Sequence, residues 1–213
     1  MKAFVITIME NPESVRVAER CIASGNVYGV KVEKFEAVTP LQNPEIIAKN
    51  KGIDIKGFDE IWSRKDRVIS AFLSHYALWQ KCVILNEPIL ILEHDAVFKG
   101  PIPDIGLYGL VSLGAPSYGR YRTPPLIGYN TLTSKNYLPG AHAYMISPQA
   151  AIKLIEKAKT EAQPTDVFIN NSRFPWVTEY YPWPIVADDS FTTIQNENGC
   201  RAKHNFNEQY KII

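Results

Sequence analysis

Two short apolar runs, residues 4–8 and 89–92, predict strands buried on both faces. Between them the hydrophobic pattern changes period. Residues 14–23 carry apolar positions at helical spacing after Asn11-Pro12, and Ser24-Gly25 predicts the end of that helix. Residues 30–35 alternate and predict a second strand, so the chain opens β-α-β, the order of parallel strands covered by helices. Residues 40–62, punctuated by Pro40, Pro44, Gly52 and Gly57, leave room for one short helix. From 66 to 85, Ile69, Phe72, Leu73, Tyr76, Trp79 and Val83 recur at helical spacing and predict a long helix that feeds the second apolar run.

Beyond that run, residues 108–113 predict another strand. Residues 114–138 are rich in Gly, Pro, Ser, Thr and Tyr and show no period. A loop of that length in a compact domain is usually functional or disordered. Its tyrosines (Tyr118, Tyr121, Tyr129, Tyr137) with Arg120 and Arg122 suit a substrate-covering loop; the plainer alternative is a surface excursion. Residues 143–146 predict a strand, and Ser147-Pro148 is a favoured helix start for a helix reaching about residue 159. Pro164 opens a shorter helix with Asp166 in its first turn, and short strands follow at 177–181 and 184–186. The expected architecture is α/β: a mostly parallel, Rossmann-like central sheet with helices on both faces. The 213 residues suffice for one sizeable core and a single domain, 1–213, without repeats.

Composition narrows the function classes. Hydrophobic residues make up 46% of the chain and the formal net charge is +1, which argues against broad attraction to nucleic acid or an acidic membrane. No stretch reads as a membrane span, and the N-terminal apolar run is too short for a signal peptide. Cys21, Cys82 and Cys200 are odd in number and scattered; Cys21 and Cys82 fall in helical patterns and read as buried free thiols. A reducing, cytoplasmic setting is expected.

The chemistry concentrates where the second apolar run ends, at Glu93-His94-Asp95. Ligands of open α/β sheets bind at the carboxyl ends of strands, and carboxylates are costly there unless they serve an ion or a substrate. In an extended segment Glu93 and Asp95 point one way and His94 the other. Two carboxylates on one side of a strand end can hold a hard divalent cation, which can in turn hold nucleotide phosphates. The competing account is a strand end whose acids are merely solvated. No phosphate-binding glycine loop of the P-loop or dinucleotide type is present.

Three blocks together resemble glycosyltransferase family 25, which includes bacterial lipopolysaccharide-type transferases and collagen galactosyltransferases. They are Leu73-Ser74-His75-Tyr76-Ala77-Leu78-Trp79, then Ile89-Leu90-Ile91-Leu92-Glu93-His94-Asp95-Ala96-Val97-Phe98, then Gly140-Ala141-His142-Ala143-Tyr144-Met145-Ile146-Ser147. Pro164-Thr165-Asp166 stands where the family has Pro-x-Asp, and Ala37-Val38 also fits. The chain departs from the family at His94 (the middle Asp of Glu-Asp-Asp), at residues 67–71 (Gly-x-x-Gly-Cys) and at Thr7 (an asparagine); the arginine expected soon after is missing or shifted to Arg16.

The resemblance implies an A-type fold and transfer of a hexose, galactose or glucose, from a UDP-sugar to a glycan or other hydroxyl acceptor, with inversion and with Mn²⁺ or Mg²⁺. Glu93 and Asp95 are the candidate metal ligands, and His204 a third from the tail unless it is simply exposed there. The candidate general base is Asp166, with Asp188 and Asp189 in reserve; Asp166 is otherwise an ordinary helix-start acid. Thr7, Ser74, His75, His94 and Tyr144 are candidates to contact the donor. Against that, His75 can be a core histidine bonded to a carbonyl, His94 can face the interior, and Tyr144 and Trp79 can be core aromatics. Adjacent residues on a helix do not face each other, which argues against a Ser74–His75 nucleophile. Two other readings stand: a catalytically degenerate binder of nucleotide-sugar or glycan, and a metal-dependent nucleotidyltransferase.

Overall fold

The structure is a computed structural model and describes residues 1–59, 61, 63–104, 109–116, 119–139, 141–188, 191–196 and 211–213. Tyr118, Asp189, Cys200 and His204 lie outside the described residues. In chain order the elements are β1 (Lys2–Thr7), α1 (Pro12–Val27), β2 (Val32–Glu36), α2 (Pro44–Asn50), α3 (Lys65–Leu85), β3 (Ile89–Glu93), β4 (Ala96–Phe98), β5 (Leu110–Ser112) and β6 (Gly128–Thr131). They continue with β7 (Ala143–Ile146), α4 (Pro148–Glu161), α5 (Thr165–Phe168), β8 (Val177–Tyr181), β9 (Ile185–Ala187), β10 (Phe191–Thr192) and β11 (Lys211–Ile212).

Seven strands form one mixed sheet in the order β2-β1-β3-β7-β5-β8-β6. Strands β2, β1, β3, β5 and β8 run one way; β7 and β6 run against them. The chain leaves β1 for β2 on one side and returns through α3 to β3 on the other side. The carboxyl ends of β1 and β3 therefore flank the point where strand order reverses, the usual crevice for a ligand in such sheets. Helices cover both faces. Ala18 and Cys21 of α1 pack on Val5, Leu90 and Leu92, while α3 and α4 pack on Phe4, Ile89, Ile91 and Tyr144.

Helix α1 is longer at both ends than its pattern suggested. Asn11 is the cap, its Oδ1 accepting from the Glu13 and Ser14 amides at 3.0 and 3.2 Å, with Pro12 at the first position. Gly25 does not stop the helix but lies inside it. A Cβ there would meet Val32 and Phe98 side chains and the Val30 carbonyl at 3.0–3.3 Å, so the glycine serves close packing against the sheet. Residues 114–138 also hold more structure than expected: β6 is an edge strand paired with β8.

Helix α3 corrects the expectation about membrane spans. It is long and apolar enough, by length and composition, to cross a bilayer. Its apolar residues instead fill the core: Ile69, Phe72, Leu78 and Trp79 have no exposed surface. Cys21 and Cys82 are buried and free as expected, and burial, the dominant cause in both, pushes each thiol up to about 12. Neither is expected to react with an alkylating reagent at neutral pH in the native protein, and both are expected to react after unfolding; peptide mass spectrometry of labelled protein checks this.

Glu179 on β8 is fully buried on the same face as Val177. Its Oε1 accepts from the Thr133 and Ser134 amides at 2.7 and 2.8 Å and from the Thr133 hydroxyl at 3.3 Å. The carboxyl thus fastens the segment that follows β6. Glu179→Ala leaves both amides without their acceptor and is expected to destabilise by about 2–4 kcal/mol, whereas Glu179→Gln keeps the oxygen and is expected to cost under about 1 kcal/mol. Urea denaturation of the two variants measures the difference.

Candidate active site

A cleft of about 1310 Å³ opens at the carboxyl ends of β1 and β3. Ile6, Ile8 and residues 10–13 line one part of it, and residues 37–41 after β2 another. Glu93, His94 and Asp95 border it together, as do Ser74 and His75 of α3, Tyr137, His142, Asp166 and the tail residues 191–195 and 213.

The strand ends at Glu93, and His94-Asp95 form a turn into β4, which pairs with β9. The alternation argument therefore does not reach Asp95: the chain reverses instead of staying extended. All three residues nevertheless face the cleft, His94 included. The turn is pinned by its backbone, since the Asp95 carbonyl accepts from the Asp188 amide at 3.0 Å. His94 Nδ1 lies 2.6 Å from the Ser14 hydroxyl, which also accepts from the Ile8 amide at 3.0 Å. His94 thereby joins the strand end to the start of α1.

Glu93 Oε1 lies 3.1 Å from His75 Nε2, and its amide donates to the His142 carbonyl at 3.0 Å. Burial pushes the Glu93 carboxyl up, but the His75 hydrogen bond and the nearby His75, His142 and His94 rings outweigh it. The group is held below the ordinary glutamate range. His142 is buried against Gly114, where a Cβ would fall 2.2 Å from the His142 ring; only glycine permits that approach. His75 is buried, with its Nδ1 2.9 Å from the Tyr144 hydroxyl.

The remaining candidates divide. Asp166 borders the cleft, with Oδ1 accepting from the Val167 amide at 2.9 Å. Asp188 turns away to an ion pair with Arg20 at 2.5 Å and does not line the cleft. Ser74 lines the cleft, but its hydroxyl accepts from the Val38 amide and donates to the Ser70 carbonyl, both at 2.9 Å. Thr7 has no exposed surface and donates to the Val5 carbonyl at 3.0 Å. Tyr144 is likewise fully buried, behind His75. Sequence reasoning assigned no role to His142 or Glu179. The available signals were a histidine directly before the apolar strand 143–146 and an acid inside the strand 177–181.

The arrangement suits a cation shared with a substrate. Among the described residues, no three or more His, Cys, Asp or Glu side chains are grouped to hold a metal ion. Mg²⁺-like ions characteristically take one or two carboxylates and complete their sphere with substrate phosphates and water. Two acids at the rim of a cleft this large match that pattern.

Fold and cleft together define an α/β protein with acidic residues at the carboxyl end of a central strand, beside a switch in strand order. Residues 1–106 match the family model described as glycosyltransferase family 25 (LPS biosynthesis protein). A glycosyltransferase 25 family member of Aedes aegypti is 28% identical over 181 residues, covering 75% of this chain and 30% of that protein. One of Anopheles gambiae is 25% identical over 177 residues, covering 73% and 30%. The chain belongs to glycosyltransferase family 25, and it spans 30% of the length of these two relatives. Among solved structures, the CTP:phosphocholine cytidylyltransferase of Streptococcus pneumoniae matches with a TM-score of 0.37 and 11% identity over 86% of this chain and 91% of that one, a likeness too remote to carry an argument.

Proposed function

We propose that this glycosyltransferase moves a hexose, galactose or glucose, from a UDP-sugar to a hydroxyl acceptor with inversion. The observation that carries the reading is the pair Glu93 and Asp95 on one cleft in a chain of this family. The acceptor oxygen attacks the anomeric carbon, the bond to the UDP phosphate breaks, and the hydroxyl proton passes to a carboxylate. Asp166 takes that role because it borders the cleft and Asp188 does not. Glu93 and Asp95 would hold Mn²⁺ or Mg²⁺, which when bound neutralises the charge gathering on the leaving diphosphate. His204 would join them from the tail, whose residues 191–195 and 213 border the cleft. A cytoplasmic site belongs to the same reading.

The second reading, a binder that does not turn its ligand over, draws on His94 standing where the family has aspartate. UDP release from a panel of UDP-sugars, with Mn²⁺ and with EDTA, separates them. Repeated, Mn²⁺-dependent turnover supports the transferase. A thermal shift with UDP-sugar but no release supports the binder; ligand at about 100 times its Kd adds about 2.7 kcal/mol. Pyrophosphate released from a nucleoside triphosphate in the presence of a sugar phosphate or other phosphate acceptor, with no UDP released from any UDP-sugar, overturns both in favour of nucleotidyl transfer.

A further inference from the structure

Behind Glu93 runs an unbroken hydrogen-bonded line of buried side chains. Trp79 Nε1 lies 2.8 Å from the Tyr144 hydroxyl, that hydroxyl lies 2.9 Å from His75 Nδ1, and His75 Nε2 lies 3.1 Å from Glu93 Oε1. Backbone architecture sets the spacing. His75 and Trp79 are four residues apart on one face of α3. Tyr144 of β7 pairs with Ile91 of β3, two residues before Glu93 on the same face. Phe72 and Phe168 hold the Trp79 ring, at 5.5 and 5.8 Å between centroids.

The line has one direction. The indole N–H only donates, so the Tyr144 oxygen accepts from it. Tyr144 has no exposed surface, so its own proton needs a protein acceptor, and His75 Nδ1 is within reach. Were Nδ1 to carry a proton instead, the tyrosine hydrogen would be buried without an acceptor. Nδ1 is therefore an acceptor, the imidazole proton sits on Nε2, and Nε2–H donates to Glu93.

We propose that Trp79 and Tyr144 lock His75 as its Nε2–H tautomer, making His75 the positioning residue that grips one oxygen of Glu93 and presents the other to the cleft. His75 thus acts through Glu93 and not on the sugar. The inference rests on the reading of Glu93 as a cation ligand, and partners of this kind typically alter metal affinity 10–100-fold.

Two measurements test it. Nitrogen NMR of the wild-type histidines in mildly alkaline buffer is expected to show a protonated Nε2 and a bare, hydrogen-bonded Nδ1 for His75. An Nδ1–H tautomer overturns the relay, and this result does not depend on any variant folding. Calorimetric Mn²⁺ titration in the presence of UDP is the second. Tyr144→Phe and His75→Leu are expected to weaken Mn²⁺ binding about 10–100-fold, with UDP binding in EDTA unchanged. His75→Gln, whose amide can still donate to Glu93, is expected to stay close to wild type. Wild-type Mn²⁺ affinity in folded Tyr144→Phe and His75→Leu overturns the positioning role alone. Failure of the wild type itself to bind Mn²⁺ removes the cation reading, and the positioning role with it.

Discussion

Asp95→Ala is expected to lower hexose transfer by about a thousandfold or more, equivalent to about 4 kcal/mol of transition-state stabilisation. The substitution removes one of the two carboxylates at the strand end while keeping the backbone carbonyl that fastens the turn to Asp188. The fold is therefore expected to survive, as read by circular dichroism and thermal melting. UDP release at saturating Mn²⁺ gives the rate. Loss of a cation ligand acts mainly on kcat, because negative charge on the diphosphate peaks in the transition state, where its neutralisation matters most. Glu93→Gln is the companion variant: it keeps an oxygen for His75 and removes only the charge. Similar losses in both support a shared cation. Turnover near wild type in Asp95→Ala would exclude Asp95 from the reaction.

How much of this was legible depends on where the information resides. Strands β1 and β3 announce themselves because strands buried on both faces read as apolar runs, and α3 because a long amphipathic period is hard to mimic. What failed was local. Gly25 has the composition of a helix stop, but the close approach of Val32 on β2 and Phe98 on β4 leaves no room for a side chain there. Strand β6, Gly-Tyr-Asn-Thr, has no apolar alternation because backbone pairing to β8 holds it at the sheet edge. At the site, the strand end and its acids were readable, but alternation set Glu93 and Asp95 apart from His94, whereas all three border the cleft. The placement of His94 and Asp95 depends on a turn into β4, whose partner β9 lies some 90 residues on. The two accounts of His75, core residue or site residue, prove not to exclude each other: it is buried, yet reaches the cleft through Glu93.

Trp79→Ala is expected to destabilise the protein by about 4–8 kcal/mol, the largest single effect on stability. Emptying a buried tryptophan site typically costs about 3–5 kcal/mol, and here the deletion also removes the donor to a fully buried tyrosine oxygen, worth about 1–3 kcal/mol. Among the described residues Trp79 is the largest fully buried side chain, packed between Phe72 and Phe168. Against a typical domain stability of about 5–15 kcal/mol, such a loss threatens folding at growth temperature. Trp79→Phe separates the two contributions. It retains a ring between Phe72 and Phe168 and deletes the N–H, so about 1–3 kcal/mol of loss is expected. Urea midpoints of the two variants give both numbers. A loss in Trp79→Phe as large as in Trp79→Ala would mean that the cavity matters less than the hydrogen bond. Packing and chemistry meet at this residue: the side chain that fills the core under α3 also supplies the first donor in the line that ends at Glu93.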